Sequence, residues 1–202
     1  AALWLARRRD FSARKLVSLV ETLIFYYKHG ARFESWKVTL TQLLQALAQG
    51  QGEEPDSAWL AAVLRSRIAE ADLDLHAYDR AHAQFTEILP RALALENGAL
   101  ISFCHHKLGQ LAARRADFAA AYHHLAAALP PLDIARLPPQ YRFPVYRTWT
   151  EVALLAADLP RARACAEKAY SLAMQVDSQL EAEPIYRWAL GEIALAEGNL
   201  PR

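Results

Sequence analysis

The sequence predicts an all-α chain of stacked antiparallel helix pairs, a solenoid instead of a closed globule, on three observations. Glu192 to Arg202 (EIALAEGNLPR) restates Glu151 to Arg161 (EVALLAADLPR) at a spacing of 41 residues (192 − 151). The same frame reaches back to Gln110 through Ala120 (QLAARRADFAA), with a fainter copy around Tyr78. A period of this size marks supersecondary units that bury a continuous core by stacking on their neighbours. Apolar residues also recur at three- and four-residue intervals, as in Leu16, Leu19, Val20, Leu23 and in Leu40, Leu43, Leu44, Leu47. That is the stripe of an amphipathic helix, and no window alternates as a strand does. Finally, hydrophobic residues make up 53% of the chain while Gly is only 7 of 202, a balance that favours helix and opposes disorder.

Breakers divide the chain at His29-Gly30, Gly50 to Pro55, Asn97-Gly98, Pro130 to Pro139 and Gly198-Asn199. Between them the pattern predicts about nine helices, over residues 12–29, 32–49, 57–75, 79–95, 99–115, 118–129, 141–157, 160–176 and 179–197. Asp56 and Ser178 are candidate N-caps, because a short side-chain oxygen can accept a free backbone N–H. Residues 1–9 are a candidate for one more helix, since Ala6 to Phe11 (ARRRDF) resembles Ala113 to Phe118 (ARRADF). That would make 12–29 the second helix of a pair. The turn before Phe33, with Trp36 and Leu40 continuing the stripe, makes it a first helix, which is the assignment adopted. Pro90 is expected to end or kink its helix, leaving 91–95 irregular, and the Pro130–Pro139 stretch is expected to be a loop that protrudes from the stack.

The whole chain reads as one repeat domain, 1–202, with units near 12–52, 56–97, 98–139, 140–177 and an incomplete 178–202. The missing initiator Met, and a terminus where a further helix should begin, give the expectation of a piece of a longer polypeptide.

Charge and cysteine content narrow the partners. Formal net charge is +1, from 23 basic and 22 acidic residues, so no global field gathers polyanions or acidic membranes, and nucleic acid is not the expected partner. The basic runs Arg7 to Arg9 and Arg114-Arg115 are short and sit beside predicted turns, where solvation accounts for them. Cys104 and Cys165 lack CxxC spacing, which points to reduced thiols in a cytoplasmic protein. No signal peptide or apolar stretch of membrane-spanning length is present in the sequence.

Within the repeat frame, Gly109 and Gly191 occupy one position of the first helices, with Ala69 in the equivalent earlier place. Tyr78, Phe118, Leu159 and Leu200 open the second helices, followed three residues on by Ala81, Ala121 and Ala162, and four later by Phe85, Leu125 and Ala166. Small residues let helix axes approach while bulky ones fill the adjacent groove. This pattern resembles the tetratricopeptide repeat, over nearly the whole chain. It departs from that family in a period nearer 40 than 34 residues, in Thr150 at a small-residue position, and in Pro90 and Pro130. Long repeats of this kind are similar to the C-terminal sensor arrays of bacterial signal-transduction ATPases and related transcription regulators. Those arrays often carry an aromatic pair like Phe33 and Trp36 after a helix rich in Tyr and Phe, here Phe25-Tyr26-Tyr27.

The resemblance implies a right-handed superhelix whose first helices line a concave, protein-binding face. The frame then places Ser66, His106, Arg147 and Trp188 in one column of that face, and Glu70, Gln110, Glu151 and Glu192 in a second column one helical turn away. Carboxylates in line could clamp a basic segment, with Arg147 and His106 fixing register and Trp188 offering a flat cation–π surface. The plainer alternative is a solvated groove in which Arg147 pairs with Glu151.

The expected function is a non-enzymatic scaffold or sensor domain that binds a protein or peptide segment, or a small effector, alongside other domains of its parent. The alternative is a regulatory segment packed on the catalytic domain of an ATPase or protease. A spacer with ends capped by further repeats is a third reading. No catalytic residue is assigned, since Cys104 and its neighbouring histidines diverge by about 100° around a helix. No cofactor is assigned either, there being no GxxxxGK[ST] or GxGxxG cradle. The pairs His105-His106 and His123-His124 contain metal-binding side chains, but at most one of each pair can face a common ion, so no metal is assigned. The expectation there is His105 packed between helices and His123 or His124 at the surface.

Overall fold

The computed structural model describes residues 18–20, 22–23, 30, 32–49, 57–175 and 179–198, the side chains of 179–182 and 185 apart. Every regular element among them is a helix, and no strand occurs among them. In chain order these are α1 (Phe33–Gln49), α2 (Ser57–Asp74), α3 (Tyr78–Ala94), α4 (Gly98–Arg114), α5 (Phe118–Ala127), α6 (Pro130–Ile134), α7 (Pro139–Leu155), α8 (Leu159–Met174) and α9 (Gln179–Ala196). Residues 18–20 and 22–23 are helical as well. The candidate helix at 1–9, the phase of 12–29 and the caps Asp56 and Ser178 lie outside the described residues. Contacts divide the chain into two compact units, Ala1–Leu100 and Ile101–Arg202, with α4 beginning at the end of the first.

The turns that end the helices explain the repeat. Ala116, Ala157 and Gly198, 41 residues apart in turn, all have positive φ, at 57°, 56° and 73°. His76, Glu96 and Arg136 do the same at the ends of α2, α3 and α6. Each such residue stands at a helix C-terminus in the left-handed region. Most of these turns carry the paired bonds of a Schellman closure, such as Asp117 N–H to Ala112 O at 3.0 Å and Asp158 N–H to Ala153 O at 2.8 Å. Asp117 and Asp158 then cap the next helices, accepting the N–H of Ala120 at 3.0 Å and of Arg161 at 3.2 Å. A left-handed conformation costs a residue with a Cβ about 1–2 kcal/mol. Glycine avoids that cost but loses about 0.4–1 kcal/mol of unfolded-state entropy advantage. Ala116→Gly and Ala157→Gly are therefore expected each to stabilise the fold by about 0.5–1 kcal/mol, read as a higher urea midpoint at unchanged slope.

In the first unit, α2 packs against both α1 and α3. Its core gathers Val20, Trp36, Leu40, Leu43, Leu60 and Leu64. A charge sits inside this packing. Asp72 is fully buried, and its Oδ1 receives Lys37 Nζ of α1 at 2.6 Å and Arg80 Nε of α3 at 3.1 Å. One carboxylate thus ties three helices together at a position where the later repeats place Ala112 and Ala153. The Lys37 arm matters more, because Arg80 is 60% exposed and water screens it. Removing the carboxylate strands the Lys37 cation beside an apolar core. Asp72→Ala is expected to cost about 3–5 kcal/mol, seen as a lowered urea midpoint with loss of helical ellipticity.

The second unit shows the close helix approach that the small residues predict. A Cβ built on Gly109 of α4 would lie 2.9 Å from Leu125 Cγ and 3.3 Å from the Ala121 carbonyl oxygen of α5, so only glycine fits there without a shift. Ala121, Leu125 and Ala162 are fully buried, and Thr150 turns its hydroxyl back to the Tyr146 carbonyl at 3.0 Å, so a polar residue occupies the small-residue position without an unpaired group. Helices α7, α8 and α9 pack mutually. Tyr170 of α8 stacks on Tyr186 of α9 at 4.7 Å between ring centroids.

Two expectations about proline are corrected. Helix α3 runs through Pro90 to Ala94, because Ala92 is fully buried and the last turn is closed by Leu95 N–H to Arg91 O and Asn97 N–H to Ala92 O. The Pro130–Pro139 stretch is not a protruding loop: it forms α6, with prolines in its first turn where their missing N–H has no helical partner to lose. Leu132 anchors α6 in the core, and Arg142 holds Asp133 Oδ1 at 2.6 Å and the Leu137 carbonyl at 2.8 Å.

Candidate functional site

Of the eight residues placed on the two columns, Ser66, Glu70 and His106 are buried, Gln110, Arg147 and Glu151 half-buried, and Trp188 and Glu192 exposed. In the first unit, Ser66 is buried and its hydroxyl donates to the Val63 carbonyl of its own helix at 2.8 Å. Glu70 is also buried and pairs with Arg67 at 2.9 Å. Neither presents its polar atoms to solvent, so the acidic column is interrupted at its start. The reason is rotational: both lie on the side of α2 that the neighbouring helices cover.

In the second unit, His106 is buried, and its Nε2 lies 2.8 Å from Thr148 Oγ1 of α7. Gln110 donates from Nε2 to the same hydroxyl at 3.2 Å. Thr148 therefore gathers two side chains of α4 into a polar tie between helices. Sequence reasoning did not single out Thr148, whose position carries Arg67, Lys107 and Ala189 in the other first helices, so a threonine there gives no signal. Asp72 was missed too, although it shows as a charge in a slot that later repeats fill with Ala112 and Ala153.

The more accessible residues come from α7 and α9. Arg147 and Glu151 form a loose ion pair, 3.9 Å between Nε and Oε1, with both side chains more than a third exposed. Trp188 is 47% exposed, and Glu192 is exposed one turn further along α9. These four lie on packed neighbouring helices of one unit, with the Thr148 tie beginning one residue after Arg147. The arrangement offers a cation, two carboxylates and an indole on helical supports.

The histidine cluster resolves as a hydrogen bond. His105 Nδ1 of α4 lies 3.1 Å from His124 Nδ1 of α5, one residue from each pair, while His123 is exposed and stacks edge-on against His124. The ring centroids stand 5.4 Å apart. The two rings thus point at each other head-on, as N–H···N requires, instead of converging on a third point as ligands of one ion would. Among the described residues no group of three or more His, Cys, Asp or Glu is placed to hold a metal. Both thiols are free and buried. Burial pushes Cys104 up to about 12 and, against the opposing Arg161 cation, Cys165 up to about 11, so both stay protonated at neutral pH.

No family model matches the chain, and no curated protein matches it. Among solved structures it is similar to BtubC (BKLC) from P. vanneervenii, with a TM-score of 0.65 and 15% identity over 100% of this chain and 89% of that one. At that identity the likeness bears on the fold: the chain is all-α. No helix among the described residues is long and apolar enough to cross a membrane.

The histidine pair has a pH consequence. Burial first, then the positive charges of His124 and His123, lower the affinity of His105 for a proton in the folded state. The unfolded chain, with His near pKa ~6.5, binds more protons below that value. Stability from this pair is thus complete above pH ~6.5 and falls as the pH drops through the lowered folded value. The melting temperature is expected to fall between pH 8 and pH 5.5 by more in the unmodified chain than in His105→Asn.

Proposed function

We propose that the chain is a non-enzymatic, tetratricopeptide-like binding module, a right-handed solenoid of helix pairs that serves as the scaffold or sensor segment of a larger bacterial signalling or transcription-regulatory protein. The observation that carries this reading is the exposure of Trp188 and Glu192 on α9, with Arg147 and Glu151 half-exposed on α7, the first helix of the preceding repeat. A backbone already held in packed helices loses little entropy when a partner docks.

The partner chemistry that fits is a peptide segment with a basic side chain for Glu151 and Glu192 and an apolar or cationic group for the Trp188 face. Ser66, Glu70 and His106 drop out of the contact surface. His106, with Thr148 and Gln110, holds α4 against α7 beneath it.

The test is to pan the full chain against a random dodecapeptide display library. Peptides rich in Lys or Arg with an aromatic or aliphatic neighbour are expected to enrich. Their affinity should fall about tenfold or more in the double variant Glu151→Ala, Glu192→Ala, a loss of about 1.4 kcal/mol. Enriched peptides that bind this variant and Trp188→Ala as well as the parent would remove these residues from the account.

A further inference from the structure

Helix α9 has two apolar faces, and among the described residues only one is covered. Ala189 and Ile193 are fully buried, with Tyr186 of the same face stacked on α8. About 180° around the helix, Gly191 and Leu195 fall in line four residues apart. Leu195 is 57% exposed. A Cβ built on Gly191 meets nothing within 4 Å.

The same positions in the preceding first helices are covered. Gly109 of α4 is buried and touches Leu125 and Ala121 of α5 so closely that a Cβ would collide. Thr150 of α7 is buried to 1%, and Leu154 is partly buried against Ala153, Ala162 and Ile193. Gly191 is therefore a contact glycine whose contact is not made within the described residues. A helix-interior glycine costs about 1 kcal/mol relative to alanine, so its place on an open face has no local benefit.

We propose that this face of α9 docks one further helix, packed as α5 packs on α4, with a leucine-sized side chain over Gly191 and a small residue beside it. The occupant is a helix of the same polypeptide beyond Arg202. Two observations select that source. The interface continues one already built twice, α5 on α4 and α8 on α7. In sequence, Asn199-Leu200-Pro201-Arg202 repeats Asp158-Leu159-Pro160-Arg161, the cap and first turn of α8, in which Asp158 Oδ1 accepts the Arg161 N–H at 3.2 Å. Asn, like Asp, carries a side-chain oxygen of the kind that accepts such a bond. Trp188 belongs to the peptide-binding reading, and the docking inference rests on Gly191 and Leu195, which play no part in that, so the two readings stand or fall separately.

The experiment extends the full chain after Arg202 with a copy of residues 162–175 carrying A166L, which continues the frame set by Leu200 to Arg202 and supplies the side chain that Leu125 supplies to Gly109. The melting temperature is expected to rise by about 5 °C or more, the scale on which a few kcal/mol moves a chain of this size. Gly191→Leu is expected to leave the unextended chain at least as stable as before and to cancel the rise in the extended one. An extension that gives no rise, or a rise indifferent to Gly191→Leu, overturns the proposal. So does sedimentation showing an unextended dimer that Gly191→Leu dissociates, which would give the face to a second copy.

Discussion

The structure rests on the distance at which paired helices can pass each other. Where α4 crosses α5 the separation admits no Cβ on Gly109, and the leucine that would be struck is itself fully buried. Ala69, Ala81, Ala121 and Ala162 hold the corresponding positions elsewhere, all without accessible surface. Close passage turns short apolar side chains into a continuous core, since dispersion contacts are lost quickly as a gap opens. It also explains how a chain with so few glycines places one at a helix centre. The loss in helix propensity is offset by packing that a larger residue would prevent.

That constraint determines what the turns must do. To lay one helix against the next within a few residues, each chain reversal closes tightly, and the left-handed residue with its cross-bonded carbonyls does so. Alanine, histidine, glutamate and arginine accept this conformation as well as Gly198, at a local cost that the packing of the flanking helices outweighs. The capping aspartates follow directly, because a tight turn delivers the first N–H groups of the next helix to the side chain just before it.

Close packing also determines where polar groups can survive. Asp72 stands in a slot that other repeats fill with alanine, and it persists because Lys37 and Arg80 reach it from both flanking helices. Its second oxygen, Oδ2, is buried without a hydrogen-bond partner, which leaves the cluster dependent on the Oδ1 contacts. His106 and Gln110 converge on Thr148 in the second unit, and His105 meets His124. These pairings fix which helices sit together and in what register. Arg147, Glu151, Trp188 and Glu192 remain outward, where charge and ring faces are available to a partner.

Much of this was legible in the sequence, for a local reason. Helix positions follow from apolar spacing and breakers, so α1 to α5 and α7 to α9 lie within about two residues of where the pattern places them. The small-residue positions and the aromatic or large apolar residues that open the second helices follow from the repeat. The eight-residue surface did not follow in full, because a column drawn from a repeat gives angular position and not cover. Ser66, Glu70 and His106 occupy the column in sequence, yet neighbouring helices bury them. The α6 turn was hidden because proline at a helix start and proline in a loop read alike until Leu132 finds a core to enter. By itself the sequence determined the helices, their period and the places of close approach, since these depend on residues a few positions apart. The tertiary structure alone decided which polar groups are buried, which histidines meet and which face of α9 the other described residues cover, since these depend on how neighbouring helices are rotated and how closely they pass.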